Sequence, residues 1–428
     1  MEHWEQVYTL MKVFKKKGAK NMSDRNKEVK EKKAKHYLRE ITAKHYKEAL
    51  EAKERGEKVG WCASNFPQEI ATTLGVKVVY PENHAAAVAA RGNGQNMCEH
   101  AEAMGFSNDV CGYARVNLAI MDIGHSEDQP IPMPDFVLCC NNICNQMIKW
   151  YEHIAKTLDI PMILIDIPYN TEDTISQDRV KYIRAQFDNA IKQLEEITGK
   201  KWDENKFEEV MKISQESAKQ WLRAASYAKY KPSPFSGFDL FNHMAVAVCA
   251  RGTQEAADAF KMLADEYEEN VKTGKSTYRG EEKQRILFEG IACWPYLRHK
   301  LTKLSEYGMN VTATVYAEAF GVIYENTDEL MAAYNKVPNS ISFENALKMR
   351  LNAVTSTNTE GAVIHINRSC KLWSGFLYEL GRRLEKETGI PVVSFDGDQA
   401  DPRNFSEAQY DTRIQGLNEV MVAKKEAE

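Results

Sequence analysis

The 428-residue sequence predicts an α/β protein with two parallel-sheet domains related by internal duplication, and with helical N-terminal and central segments. Three observations predict this fold class. The chain is too long for one hydrophobic core. Short apolar runs rich in β-branched residues alternate with helix-like stretches, which is typical of parallel sheets. The two halves also repeat the same order of features, which indicates duplication.

Composition and charge limit the class of protein further. The chain is 43% hydrophobic and 27% charged, as is usual for a globular protein. Its net charge of -5 gives no electrostatic reason to expect a nucleic acid or an anionic membrane as partner. No signal peptide pattern or membrane-length apolar run is present, so we expect a cytoplasmic protein. The nine cysteines are therefore expected to be reduced, which raises metal binding or catalysis as their role.

The pattern along the chain predicts four segments. Residues 1–58 are rich in Lys, Glu and Ala and predict helices, with the Lys cluster on a solvated face. Residues 59–195 predict the first α/β domain, with strands in KVGWCAS, VKVVYPE, PDFVLCCN and PMILIDIP. Residues 196–280 predict long amphipathic helices. Residues 281–428 predict the second α/β domain, with strands in RILFEGIACW, NVTATVYAE, GAVIHINRS and PVVSFDGD.

Two pairs of segments carry the case for duplication. GWCASNFPQEIATTLGVKVVYPE matches GIACWPYLRHKLTKLSEYGMNVTATVYAE in order: strand, Pro, helix, Gly, strand, and then Glu82 or Glu318. In the second pair, Asn-x-x-Cys follows a strand and ends at Cys144 or Cys370. An Ile-Pro ends the next helix in both copies. The shared order indicates that the two cysteines occupy equivalent places.

Those equivalent places suit metal chemistry. Each cysteine follows the carboxyl end of a strand, where ligands bind in open α/β sheets. Each also precedes a helix, whose N-terminal N–H groups favour the thiolate. Cys111 in NDVCGYARV is the best third candidate. From spacing alone a cluster, a zinc ion and a purely structural role stay open, since no C-x-x-C unit occurs. Cys98, Cys139 and Cys140 are weaker candidates. We interpret the cysteines in apolar runs as buried hydrophobic residues: Cys62, Cys139, Cys140, Cys249 and Cys293.

From Gly60 onward the sequence resembles the 2-hydroxyacyl-CoA dehydratase family, the type that also includes benzoyl-CoA reductases. The resemblance is carried by GWCASNFPQEI, VVYPENHAA, VCGYAR, LCCNNICNQMIKWYE and HINRSCKLWSG. It implies two flavodoxin-like domains. Length and the N-terminal extension are most similar to the larger (alpha) subunit of lactoyl-CoA dehydratase, so lactoyl-CoA is the favoured substrate.

The resemblance implies a [4Fe-4S] cluster held by Cys111, Cys144 and Cys370, with one iron free of cysteine. An open iron can bind a substrate oxygen, whereas a cluster with four thiolates is suited to electron transfer. The implied reaction removes water from an (R)-2-hydroxyacyl-CoA to give a 2-enoyl-CoA through a ketyl radical. A lyase of this kind is expected to need a homologous second subunit with its own cluster and an ATP-dependent iron–sulfur activator.

The family pattern also places two substrate contacts. It assigns Ser64 a hydrogen bond to the substrate, and Glu82 a role in proton transfer or hydroxyl departure. The structural alternatives are an N-cap role for Ser64 and a solvated loop position for Glu82. Two other functions stay open for the chain as a whole. These are a benzoyl-CoA reductase-type subunit and a non-catalytic electron-transfer subunit.

Overall fold

The strands form two four-stranded sheets. The computed structural model describes residues 33–427. The first sheet contains β1 (Val59–Cys62), β2 (Lys77–Val79), β3 (Phe136–Cys140) and β4 (Met162–Ile165). The second contains β5 (Gln284–Glu289), β6 (Met309–Ala313), β7 (Gly361–Asn367) and β8 (Val392–Gly397). Each of the eight predicted strand segments therefore contains a strand.

Strand order confirms the predicted fold class and its repetition. The sheets are ordered β2-β1-β3-β4 and β6-β5-β7-β8, and neighbouring strands pair in parallel throughout. This is one topology used twice, and it is the flavodoxin-like order. Strands β1, β3 and β5 are buried along their whole length, which explains their continuous apolar sequence.

Helices cover the sheets and fill the segments between them. The α-helices are α1 (Ala34–Glu54), α2 (Gln68–Thr73), α3 (Pro81–Ala90), α4 (Gly94–Ala103), α5 (Gly112–Ile123), α6 (Asn145–Leu158), α7 (Gln177–Thr198), α8 (Glu204–Ser226), α9 (Gly237–Ala250), α10 (Gln254–Thr273), α11 (Leu297–Glu306), α12 (Val315–Glu318), α13 (Thr327–Tyr334), α14 (Phe343–Ser356), α15 (Lys371–Thr388) and α16 (Glu407–Ala427).

The helical segments agree with the pattern that predicted them. Helix α1 packs on α9 and α10 through residues such as Leu38 and Tyr46, while its lysines at 35, 44 and 47 are exposed. The rest of the predicted N-terminal helical segment, residues 1–32, lies outside the described residues. The segment boundaries at 58, 195 and 280 stay predictions. Within residues 33–427, no helix combines the length and apolar character that crossing a membrane requires.

A buried carboxylate joins the two halves through the central helices. Glu69 of α2 is fully buried and accepts hydrogen bonds from Arg251 Nη2 at 3.2 Å, Tyr324 OH at 3.1 Å and Tyr334 OH at 2.7 Å. The carbonyl oxygen of Tyr334 accepts in turn from Asn142 Nδ2 at 3.0 Å. A buried charge is tolerated when it is paired and hydrogen-bonded in this way. The network therefore connects the second half of the chain to the loop that ends at Cys144.

Candidate active site

All five residues predicted for the site line one cavity. This cavity lies at the carboxyl ends of the strands, where Ser64 follows β1 and Cys144 follows β3, and its lining includes Ser64, Glu82, Cys111, Cys144 and Cys370. Residues from both halves of the chain contribute to it, because Cys370 follows β7 of the second sheet. The position agrees with the general rule for ligand sites in open α/β sheets.

The three cysteines have the same local environment. Each occupies the N-cap position of a helix: Cys111 precedes α5, Cys144 precedes α6 and Cys370 precedes α15. The backbone N–H groups of Ala114, Met147 and Trp373, each three residues later in the chain, lower the pKa of the respective thiol and oppose part of the effect of burial. These N–H groups and the helix dipole favour the thiolate form, which is the form that binds metals.

The other six cysteines lie in the core. Cys62, Cys98, Cys139, Cys140, Cys249 and Cys293 are buried, whereas the three cavity cysteines are partly exposed. This confirms the interpretation of five of them as small hydrophobic residues, and Cys98, which was only a weaker ligand candidate, is buried in the same way. It also separates the candidate ligands from the rest by a physical property that is independent of any resemblance.

The three thiols are compatible with the ligation of an iron–sulfur cluster. Burial raises the pKa of each thiol, and raises that of Cys370 to about 12, so a bound cation is what would stabilise three thiolates together. Among residues 33–427, no group of three or more His, Cys, Asp or Glu side chains is arranged to hold one metal ion. In a cluster each thiolate binds a different iron, so the sulfurs need not converge on one point.

Close backbone contacts hold the Cys111 helix against the second half of the chain. The N–H of Gly112 donates to Ser369 Oγ at 2.8 Å, and Ser369 directly precedes Cys370. A Cβ at position 112 would lie 2.4 Å from Asp398 Oδ1, so the approach requires glycine. Arg115 Nη1 donates to Asp401 at 2.8 Å on the same seam. These contacts fix the Cys111 end of the cavity relative to the Cys370 end.

Ser64 and Glu82 contact each other as well as the cavity. The backbone N–H of Ser64 donates to Glu82 Oε1 at 2.9 Å, and Tyr151 OH donates to Glu82 Oε2 at 3.0 Å. Helix α2 has Pro67 at its N-cap position with no side-chain cap, so Ser64 is not the cap residue. Glu82 is 9% exposed, so it is not a solvated loop carboxylate. Both structural alternatives for these residues are therefore wrong.

Opposing effects set the proton affinity of Glu82. Burial is the largest, and it raises the pKa of the carboxyl group above its usual value. The hydrogen bonds from Ser64 and Tyr151 act in the opposite direction because they stabilise the carboxylate. A buried carboxyl with a raised pKa at a cavity wall is well suited to take up or release a proton.

Aromatic side chains form much of the remaining wall. Tyr316 stands edge-on to Trp373 and to Phe320, with ring centroids 5.9 and 6.0 Å apart, and all three rings line the cavity. Trp150 lies on the α6 side, where its Nε1 donates to Asn117 Oδ1 at 2.9 Å. The wall is therefore apolar and held in place by ring contacts and a buried hydrogen bond. Such a surface favours an apolar or aromatic group and excludes water.

Sequence reasoning missed several residues that line this cavity or, like Tyr151, contact a residue that lines it. Tyr151 lies four residues after Met147 on α6, so helical spacing from the Cys144 end could have indicated it. Tyr113 directly follows Gly112 in the quoted VCGYAR segment and receives a hydrogen bond from Trp294 Nε1 at 2.6 Å. Gln399 directly follows the quoted strand segment PVVSFDGD, but nothing in that segment marks it as a residue of the cavity. No local signal identified it.

The fold and the site define a duplicated α/β protein with a cavity between its halves that carries three thiols and a buried carboxyl group. Residues 63–421 match the model of the family described as 2-hydroxyglutaryl-CoA dehydratase, D-component. The chain belongs to this family, and it is a subunit of the 2-hydroxyacyl-CoA dehydratase type, a lyase.

Three relatives place the chain within the family. It is 98% identical to the (R)-phenyllactyl-CoA dehydratase alpha subunit of Clostridium sporogenes, over 95% of this chain and 100% of that one. It is 50% identical to the (R)-2-hydroxyisocaproyl-CoA dehydratase alpha subunit of Clostridioides difficile, over 92% and 97%. It is 42% identical to the lactoyl-CoA dehydratase subunit alpha of Anaerotignum propionicum, over 92% and 98%.

The comparisons do not support the expectation of lactoyl-CoA as substrate. The lactoyl-CoA dehydratase subunit is less than half identical to this chain, whereas the phenyllactyl-CoA dehydratase subunit is nearly the same sequence. Length and an N-terminal extension, which suggested the lactoyl enzyme, do not report on the acyl pocket. The aromatic wall of the cavity is formed by side chains from separate parts of the chain, such as Trp150, Phe320 and Trp373.

Proposed function

We propose that the chain is the alpha subunit of a dehydratase that removes water from an aromatic (R)-2-hydroxyacyl-CoA, with (R)-phenyllactyl-CoA as the favoured substrate. The observation that carries this proposal is the convergence of three thiols, a buried carboxyl and an aromatic wall in one cavity. The 98% identity to a phenyllactyl-CoA dehydratase subunit supports the choice of acyl group.

The cofactor of the proposal is a [4Fe-4S] cluster held by Cys111, Cys144 and Cys370. When bound, it supplies an iron without a cysteine ligand and a single electron for the thioester carbonyl. The N-cap positions of the three cysteines support thiolate ligation because the positive end of a helix dipole favours a thiolate. The aromatic wall supports one-electron chemistry because it keeps water from a reactive radical.

The side chains of this subunit have separate roles in the proposed reaction. Adding one electron to the thioester gives a ketyl radical, which expels the 2-hydroxyl group. The β-proton of the resulting enoxy radical is then acidic enough for a carboxylate to remove. The ketyl radical anion that remains gives up the added electron and becomes the 2-enoyl-CoA. Glu82 carries the proton in this scheme, and Ser64 orients both Glu82 and the substrate oxygen. The apolar wall positions the aromatic ring.

The proposal requires other proteins. The relatives are named alpha subunits, which supports a homologous second subunit as partner of this chain. That partner is proposed to hold its own iron–sulfur cluster. A separate ATP-dependent iron–sulfur activator is proposed to deliver the low-potential electron.

The first test is the iron and acid-labile sulfide content of the anaerobically purified complex. Cys370→Ser is expected to lose the iron of one cluster, because Cys370 lies in the cavity. Cys139→Ser is the matched control and should keep its iron, because Cys139 is buried in the core. No iron in the wild type, or equal loss in both variants, would contradict the ligand assignment.

The second test is substrate choice by the activated complex. (R)-Phenyllactyl-CoA is expected to be dehydrated with a kcat/KM at least about tenfold above that for lactoyl-CoA, since burying an aromatic ring is worth a few kcal/mol. Reduction of benzoyl-CoA without dehydration would instead favour the reductase alternative. A cluster whose spectrum does not respond to any hydroxyacyl-CoA would favour an electron-transfer subunit.

A further inference from the structure

One buried amide from the second half of the chain contacts a candidate ligand from the first half. Gln399 follows β8, is 1% exposed and lines the cavity. Its Nε2 lies 3.0 Å from Cys111 Sγ, in position to donate a hydrogen bond. Among the three cavity cysteines, within the part of the chain that the structure describes, only Cys111 has such a side-chain donor.

The loop that carries Gln399 is fixed by its own hydrogen bonds. Asp398 Oδ2 accepts from the N–H of Ser369 at 3.2 Å, while Asp398 Oδ1 accepts from the N–H groups of Ala400 and Asp401. Ser369 in turn accepts from Gly112 through its hydroxyl group. The adjacent pairs 111–112, 369–370 and 398–399 are therefore joined in a closed ring. This ring holds the backbone of Gln399 close to both Cys111 and Cys370.

The direction of this hydrogen bond is determined once the thiol of Cys111 is ionised. A thiolate only accepts hydrogen bonds, so the amide of Gln399 presents its N–H side to the sulfur. An N–H donor withdraws electron density from a sulfur ligand and stabilises the more negative, reduced state of the group that the sulfur binds. Hydrogen bonds to the sulfurs are one of the means by which proteins set iron–sulfur potentials.

We propose that Gln399 is a positioning residue that, through its amide bond to Cys111, raises the reduction potential of the group held by the three cavity cysteines. This inference rests on the proposed cluster. It gives a role to the one polar side chain from the second half of the chain that contacts Cys111 among the described hydrogen bonds. Because the amide acts on only one of the three sulfurs, it makes the cluster electrostatically asymmetric.

The test is the midpoint potential of the cluster in the anaerobic two-subunit complex, measured by a redox titration followed by electron paramagnetic resonance. Gln399→Leu removes the donor, and Gln399→Glu replaces it with an acceptor of the same shape. Both are expected to shift the potential to more negative values, with the larger shift in the Glu variant. Gln415→Leu is the matched control, because Gln415 is an exposed residue of α16 whose amide contacts only Glu419 among the described side-chain bonds.

Two further measurements on the same samples distinguish a wrong role for Gln399 from a wrong cluster assignment and from loss of the fold. Iron and sulfide content shows whether the cluster is retained, and the melting temperature shows whether the fold is. Retained iron with an unchanged potential in both variants would overturn the role of Gln399 alone. Absence of iron in the wild type would overturn the proposed cluster and this inference with it. Loss of iron together with a fallen melting temperature in both variants would assign Gln399 a structural role and overturn the inference.

Discussion

Arg350 and Glu289 form a two-bond ion pair in which neither side chain has any exposed surface. Arg350 Nε lies 3.1 Å from Glu289 Oε2, and its Nη2 lies 2.8 Å from Oε1. The guanidinium group also lies over the ring of Trp373, 5.5 Å from its centroid. Since Trp373 lines the cavity, the pair at the end of β5 supports one wall of the candidate active site.

Glu289→Gln should strongly destabilise the fold. It removes the negative charge and leaves Arg350 buried without its counter-ion, which costs about 3–5 kcal/mol. The measurement is the free energy of unfolding from urea denaturation of the purified chain. Glu379→Gln is the matched control, because Glu379 pairs with Arg382 on the exposed surface of α15. The control should lose less than about 1 kcal/mol. Equal losses would show that the buried pair contributes nothing beyond a surface pair.

Glu82→Gln should abolish most of the dehydratase activity while keeping the iron. The amide retains the shape of the side chain but cannot carry a proton, so we expect kcat to fall about 10²- to 10⁴-fold. The control is Glu318→Gln. Glu318 holds the matching position in the second copy of the fold but does not line this cavity, so the control should lose little activity. Comparable activity losses in the two variants would contradict the role of Glu82.

Tyr151→Phe should move the pH dependence of the reaction. Its hydroxyl donates to Glu82 and lowers the pKa of that carboxyl, so its removal raises the pKa further. The limb of the pH–rate profile that reports Glu82 is therefore expected to shift to higher pH. Tyr182→Phe is the control, because Tyr182 also donates to a carboxylate, Asp166, but is exposed. An unshifted profile in Tyr151→Phe would show that Glu82 does not govern the rate.

The sequence determined the strands well because local pattern controls them. Eight apolar, β-branched segments became eight strands, and the repeated Asn-x-x-Cys element placed Cys144 and Cys370 at equivalent helix starts. Residues such as Gln399 and Tyr316 could not be predicted in the same way. They reach the cavity through packing between distant segments, as the 288-residue separation of Gln399 and Cys111 illustrates. The expectation of lactoyl-CoA rested on length and an N-terminal extension, and neither of these describes the cavity, which is assembled from several elements.

Replacing Lys300 should stabilise the protein in a pH-dependent way. Lys300 is fully buried on α11, with Nζ 5.1 Å from the centroid of Phe288 and 5.4 Å from that of Phe395. Within residues 33–427 its ammonium group has no hydrogen-bond partner, and burial lowers its pKa from 10.5 to about 8. A pKa shift of this size means that burying the charged ammonium group lowers the free energy of unfolding by roughly 3 kcal/mol at most. Attraction between the ammonium group and the rings of Phe288 and Phe395 offsets part of that loss.

The sign of the pH effect follows from proton binding. Below pH 8 both the folded and the unfolded chain hold the Lys300 proton, so the full cost of the buried charge is present. Between about pH 8 and 10.5 the unfolded chain binds more protons, so the stability of the wild type rises relative to that of a variant without the charge. Lys300→Met should therefore raise the free energy of unfolding by about 1–3 kcal/mol at pH 7. This advantage should shrink as the pH approaches 10.

The measurement is urea denaturation of wild type and Lys300→Met at several pH values from 7 to about 10, under reducing conditions. Lys303→Met is the matched control. Lys303 lies on the same helix one turn later but pairs with Glu306 at 3.0 Å, so its replacement should cause a small loss of stability. If Lys300→Met is less stable than the wild type at pH 7, then the attraction to Phe288 and Phe395 exceeds the cost of burying the charge. A stabilisation that does not change with pH would instead come from packing, because only titration of the ammonium group makes it fall between pH 8 and 10.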